Sequence, residues 1–198
     1  MKVARTLLAS LAFLVLLVVI YYLHVHYFPV DVVFYAAIAD GILATSIAAF
    51  GLLYLKAFRV LGSFEKFLVI VTWLLVSYAL AISVPAVIDR SLSFYILEKL
   101  QQRGGGIRQD AIEQVFTQEY IKEHRLVDVR LTEQLVSGTI EIKNGCVLLT
   151  PKGNVIAELS RYFRKNWLPS KRLLLGQYTD DLTDPFRKST EVVGYRCD

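Results

Sequence analysis

Three apolar stretches decide the architecture: Thr6–Tyr22 (TLLASLAFLVLLVVIYY), Val32–Phe58 (VVFYAAIADGILATSIAAFGLLYLKAF) and Phe67–Ile88 (FLVIVTWLLVSYALAISVPAVI). Each has about the 20 residues that a helix needs to cross roughly 30 Å of hydrocarbon. Lys2 and Arg5 ahead of the first run also suit a secretory signal, but no small-x-small cleavage site follows and bulky Tyr21, Tyr22, His24 and His26 do, so an anchor is expected. The chain of 198 residues is 55% hydrophobic and 20% charged, more apolar than an ordinary soluble domain. Only five of its 22 basic and three of its 18 acidic residues precede residue 89. Residues 1–88 therefore read as a three-helix transmembrane region and the remainder as a polar domain. The fold class expected is an α-helical membrane protein with three transmembrane helices and a small α+β domain after them.

Short-loop cations set the expected topology. Lys2 and Arg5 flank the first run, Lys56, Arg59 and Lys66 surround the second connection, and the Leu23–Asp31 loop has none. The positive-inside rule places the N-terminus in the cytoplasm and everything after Asp89 outside, because long domains translocate with little regard to their own charges. A bacterial inner membrane is the setting this suggests.

The second run differs in composition. Ala37, Gly41, Ala44, Ala48 and Gly51 recur every three or four residues, giving a nearly flat face of the kind on which helices in lipid approach closely. Asp40 lies beside it, about two turns in from the outer end. An ionisable group there is costly, so it is expected to stay hydrated near the interface, to pack within the chain's own three helices, or to meet another membrane subunit. These six residues form the expected helix–helix interface.

Beyond Asp89 the pattern becomes amphipathic. Leu92, Tyr95, Ile96 and Leu100 predict a helix closed by Gly104–Gly106, residues 109–120 a second with Ile112, Val115, Phe116 and Tyr120 inside, and residues 128–136 a third capped by Asp128 and closed by Gly138. Thr139–Lys143 and Cys146–Leu149 are β-prone, and Asn144-Gly145 between them suits a type I′ turn. Thr150 and Pro151 then suit the N-cap and first position of a last helix with Val155, Ile156, Leu159 and Phe163 on one face.

Three helices, a hairpin and a capped helix in that order resemble the winged-helix superfamily over residues 91–165. Leu149–Gly153 (LTPKG) is similar to the join between wing and last helix in many members. The resemblance implies a compact winged-helix-like domain over residues 89–165. In DNA-binding members the third helix enters the major groove with basic and amide side chains outward. Here that face offers Arg130, Glu133 and Gln134 beside Asp128 and Glu141, too acidic for the role, so no nucleic-acid partner is expected.

The tail, residues 166–198, shows little periodicity and reads as irregular. Arg161, Arg164, Lys165 and Trp167, continued by Lys171 and Arg172, mix cations with aromatics and leucines as segments at a membrane interface do. The acidic run Asp180–Asp184 lacks the ligand register of a calcium loop. His24 and His26 have no third ligand nearby and read as interface polarity, and His124 as exposed in a turn. Gly104–Gly106 follows a helix, not the strand that a phosphate loop needs, and no serine or cysteine sits in a nucleophile elbow. No catalytic residue, metal or cofactor is therefore expected. Cys146 and Cys197 are too few for a framework but are free to pair outside the cytoplasm.

The function expected is a non-catalytic accessory or scaffold subunit of a membrane assembly, in contact with other membrane subunits and the lipid bilayer, with envelope glycan or lipid handling as its setting. The alternative is a membrane-anchored winged-helix regulator with its domain in the cytoplasm. An enzyme acting on a lipid-linked substrate with Asp40 or Asp89 as base has no supporting constellation.

Overall fold

The computed structural model describes residues 2–187 and 197. The chain forms two compact units, residues 1–127 and 128–198.

The first unit opens with three helices, α1 (Lys2–Tyr27), α2 (Val33–Tyr54) and α3 (Ser63–Ser83). They are long and apolar enough to cross a membrane. Short connections make them run alternately up and down, so the starts of α1 and α3 share an end of the bundle. There Lys2 Nζ lies 2.9 Å from Glu65 Oε1 and the Arg5 guanidinium donates to the Ala57 carbonyl. The two cationic segments thus sit together. Glu65 also accepts from the Gly62 N–H at 2.7 Å, satisfying one of the open donors at the start of α3.

Along the bundle axis Phe13 stacks on Trp73 with ring centroids 5.0 Å apart, among Ala9, Leu17, Ala44, Leu52 and Leu61. The Trp73 indole N–H donates to Ser10 Oγ at 3.0 Å, satisfying a donor that lipid could not.

The apolar runs and the helices differ at two ends. The second run was expected to continue to Phe58, but α2 stops at Tyr54 and a 3₁₀ turn, Lys56–Phe58, follows. The third run breaks at Val84, and α4 (Pro85–Arg90) continues the direction. Pro85 has no N–H to donate and its ring crowds the preceding turn, so an unbroken helix is not available to it.

A helix α5 (Leu92–Gln102) follows, with Ser91 Oγ accepting from the Phe94 N–H at its start. The expected regular helix over 109–120 is instead composite: a 3₁₀ turn at Gln109–Ala111, α6 (Ile112–Gln114), a π-helical turn at Val115–Tyr120 and α7 (Ile121–Glu123). The wider π turn keeps Tyr120 buried, with Ile112, Val115 and Phe116 half-buried beside it.

The second unit holds most of α8 (Leu126–Ser137), the hairpin β1 (Ile140–Lys143) and β2 (Cys146–Leu149), α9 (Pro151–Trp167), and a second hairpin, β3 (Arg172–Leu174) with β4 (Gln177–Thr179). Asp128 is not the N-cap of α8, since the helix begins two residues earlier; it lies in the first turn, where a carboxylate still suits the helix dipole. Ile140 pairs with Leu149 and Ile142 with Val147 in antiparallel register. The turn residues Asn144 and Gly145 both have positive φ, 52° and 80°, as a type I′ turn requires.

Thr150 Oγ1 accepts from the Gly153 N–H at 3.1 Å, and Pro151 occupies the first turn, so α9 starts where the sequence places it. A Cβ on Gly153 would fall 2.0 Å from the Thr139 carbonyl oxygen, so only glycine allows α9 to leave the hairpin at this angle. The tail expected to be irregular contains the ordered β3–β4 hairpin, reversed at Leu175-Gly176 with positive φ at both residues. Its strands are only three residues long, too short for alternation to be visible in sequence.

Candidate functional site

The bundle's polar site is the pair His24–Asp40. Asp40 on α2 is only 4% exposed, and its Oδ1 lies 2.7 Å from Nδ1 of His24 on the last turn of α1. Two residues separated by 16 positions thus join across a helix–helix interface near the α1–α2 connection. The pair sets Asp40 against the chain's own α1, as one of the three alternatives has it. It also corrects the reading of His24 as simple interface polarity. Among the described residues Asp40 Oδ2 accepts no hydrogen bond. His26 is separate; its Nδ1 lies 2.9 Å from the Tyr22 carbonyl oxygen one turn back.

The small-residue face is likewise filled from within. Ala37, Gly41 and Ala44 are buried, and Ala48 packs against the core cluster. A Cβ on Gly41 would stand 2.7 Å from Ser77 Cβ, so α2 and α3 approach as closely as glycine permits. Thr45 Oγ1 donates to the Gly41 carbonyl at 2.8 Å. Gly51 differs from the rest: the side chain nearest an added Cβ belongs to Leu55 of its own segment. The face thus joins α2 to its neighbours in the same chain. A cavity of about 160 Å³ adjoins it, lined by Leu17, Tyr21, Ala37, Ser77, Ala81 and Pro85 among others, almost wholly apolar.

A second polar cluster went unrecognised in the sequence. Lys99 on α5 is 5% exposed, with its Nζ 2.7 Å from Glu119 and 2.7 Å from Glu123. Tyr95 donates its hydroxyl to Glu123 at 2.9 Å, and Arg103 bonds both oxygens of Glu119. Tyr95, Tyr120 and His124 pack ring against ring, 4.6–5.1 Å between centroids. His124 is exposed, as expected, yet belongs to this stack. The two carboxylates hold the Lys99 ammonium well above the usual lysine range, and Lys99 in turn holds Glu119 and Glu123 below theirs. Burial first, then the Glu123 hydrogen bond, pushes the Tyr95 phenol up. The only sequence signal was a lysine on the same helical face as Tyr95, four residues on.

The interface candidates of the second unit are accessible. Arg161, Lys165, Trp167 and Lys171 are exposed, and Arg164 and Arg172 half-exposed. Val155, Ile156, Leu159 and Phe163, which share one face of α9, are all exposed. Cys146 on β2 is disulfide-bonded to Cys197, 51 residues on. Among the described residues no group of three or more potential metal ligands gathers. No protein-family model, curated protein or solved structure matches the chain.

Proposed function

We propose that the protein is a non-catalytic accessory or scaffold subunit of a membrane assembly, held by three spans and presenting to other membrane subunits an extracytoplasmic region whose residues 89–165 are winged-helix-like. One observation carries this reading. Among the described residues of the second unit only Thr139 and Gly153 are buried, and neither supplies apolar bulk. Ile142, Val147 and Leu149, which share one face of the β1–β2 hairpin, are about half exposed, as are Leu135 and Val136 of α8. Apolar faces of this extent on an ordered unit mark contact surfaces.

The order α5, α6–α7, α8, β1–β2, α9 supports the winged-helix likeness, with β1–β2 as the wing. The Cys146–Cys197 disulfide supports an extracytoplasmic unit, since such bonds persist in oxidising compartments. The cations gathered at the shared end of α1 and α3 support a cytoplasmic N-terminus. The small-residue face of α2, packed inside the bundle, supplies no argument for a partner, so the reading rests on the second unit.

The test is purification of the full chain in mild detergent after photo-crosslinking from Ile142 and Val147. Recovery of defined membrane subunits joined at these positions is expected. Crosslinks to lipid alone, with the protein eluting as an isolated chain, would sink the proposal.

A further inference from the structure

Among the described residues of its own unit, nothing covers the helix α9. From Asn154 to Trp167 every residue is exposed except Arg164, which is half-exposed. Its side chains are nonetheless sorted. At 100° per residue Tyr162, Val155, Leu159, Phe163, Ile156 and Trp167 fall in one sector about 140° wide, with Asn166 the one polar residue of 154–167 among them, and Arg164, Arg161 and Lys165 lie on the opposite side. Leu159 is 63% exposed and Trp167 69%. A lone amphipathic helix of this length is marginal in water and ordinarily owes its stability to burial of its apolar stripe.

Immediately beyond α9 the β3–β4 hairpin repeats the composition. Leu175 stands at its turn with φ 46° and is 93% exposed. The left-handed region costs a leucine, and asparagine or glycine would fill it readily. The turn alone does not call for a leucine there, and its side chain stands out in solvent. Between Pro151 and Leu175 the chain carries six cations against one carboxylate, Glu158.

From these observations we infer that α9 and the Leu175 tip form a peripheral membrane-binding element that seats its apolar face in the headgroup layer of a bilayer rich in anionic lipid. Two features select a bilayer over a protein groove. Cations stand at both borders of the apolar stripe, Arg164 on the Trp167 side and Lys165, with Glu158 beside it, on the Tyr162 side, where long side chains reach headgroup phosphates while their stems cover apolar surface. The element also belongs to a chain with three helices able to span that bilayer, so it meets lipid at high effective concentration. This inference goes beyond the accessory-subunit proposal and needs no partner protein.

Both native cysteines are bonded to each other, so a single introduced cysteine takes a nitroxide label selectively. Full-length Leu159→Cys, Leu175→Cys and Arg161→Cys, spin-labelled and reconstituted at low protein density in phosphatidylcholine vesicles with about one-third phosphatidylglycerol, report depth through relaxation by oxygen and by a water-soluble nickel chelate. Labels at 159 and 175 are expected to favour oxygen several-fold over the label at 161. In pure phosphatidylcholine, or in high salt, that contrast is expected to shrink. Water-like accessibility at both 159 and 175 in the anionic vesicles overturns the inference, and a partner protein or a second copy then becomes the occupant of the stripe. Crosslinks from the β1–β2 hairpin test the accessory role separately, so either reading can fail alone.

Discussion

His24 Nδ1 lies 2.7 Å from Asp40 Oδ1 with Asp40 almost fully buried, so these two polar side chains meet across the α1–α2 interface, while Asp40 Oδ2 accepts no hydrogen bond among the described residues. Removing one partner leaves the other stranded. His24→Leu or Asp40→Leu alone is expected to cost about 1–3 kcal/mol, the penalty of an unsatisfied buried group. The double Leu variant should recover much of that loss, because replacing both members of a buried pair by apolar groups is close to neutral. Thermal unfolding of the detergent-solubilised protein checks this. A double variant as unstable as the sum of the singles would show that the pair is not a closed local unit.

Gly41 is set by Ser77. Gly41→Leu places a branched side chain where even a Cβ would come within 2.7 Å of Ser77 Cβ, so α2 and α3 must separate. Overpacking of this kind costs about 1–3 kcal/mol or more. Gly51→Leu, added where no other helix approaches, should cost far less. The effect is expected as a lowered melting temperature of the isolated chain, with or without any partner. Unchanged melting of the Gly41 variant would contradict the α2–α3 geometry.

The three long apolar helices were legible because length and hydropathy depend on composition alone, and the first hairpin because Asn144-Gly145 has few alternatives to a type I′ turn. The Thr150 cap and Pro151 start of α9 were legible for the same local reason. Tertiary pairings were not. Nothing local links His24 to Asp40, or Lys99 to Glu119 and Glu123, since each bond crosses between helices whose packing the sequence does not state. Small residues every four positions announce a close approach but not whose helix approaches, and here the answer was α3 of the same chain. The amphipathic pattern of α9 was visible, but periodicity shows only that a stripe exists and not whether the fold covers it.

The Lys99 cluster makes α5 and α6–α7 pH-sensitive in a defined direction. Glu119 and Glu123 titrate below their ordinary 4.5 when folded, so their contribution is present above that value and is lost as pH falls through the lowered one. Lys99 titrates above its ordinary 10.5, so its contribution holds below that value and fades only as pH rises through the higher one. The cluster is therefore expected to stay closed across neutral pH and to loosen under acid, read as faster hydrogen exchange over residues 92–123 below about pH 4. Lys99→Met should flatten that acid response while leaving exchange in α1–α3 unchanged. An acid response equal in the parent and the Met variant would assign it to other carboxylates.

The Cys146–Cys197 bond closes a loop within the second unit and persists only in an oxidising compartment. Closing a loop of this length removes chain entropy from the unfolded state worth roughly 4 kcal/mol in the simple loop-closure model. That is large for a unit with no buried apolar side chain among its described residues. Reduction should therefore make residues 128–198 markedly more sensitive to protease while α1–α3 stay protected. Location can be read with the same two residues. In cells with a permeabilised outer layer and an intact inner membrane, an impermeant maleimide should label neither cysteine until reductant is added, and then both. Labelling that requires rupture of the inner membrane would place the unit in the cytoplasm, leave its disulfide without an oxidising compartment, and move the membrane-anchored regulator ahead of the accessory subunit.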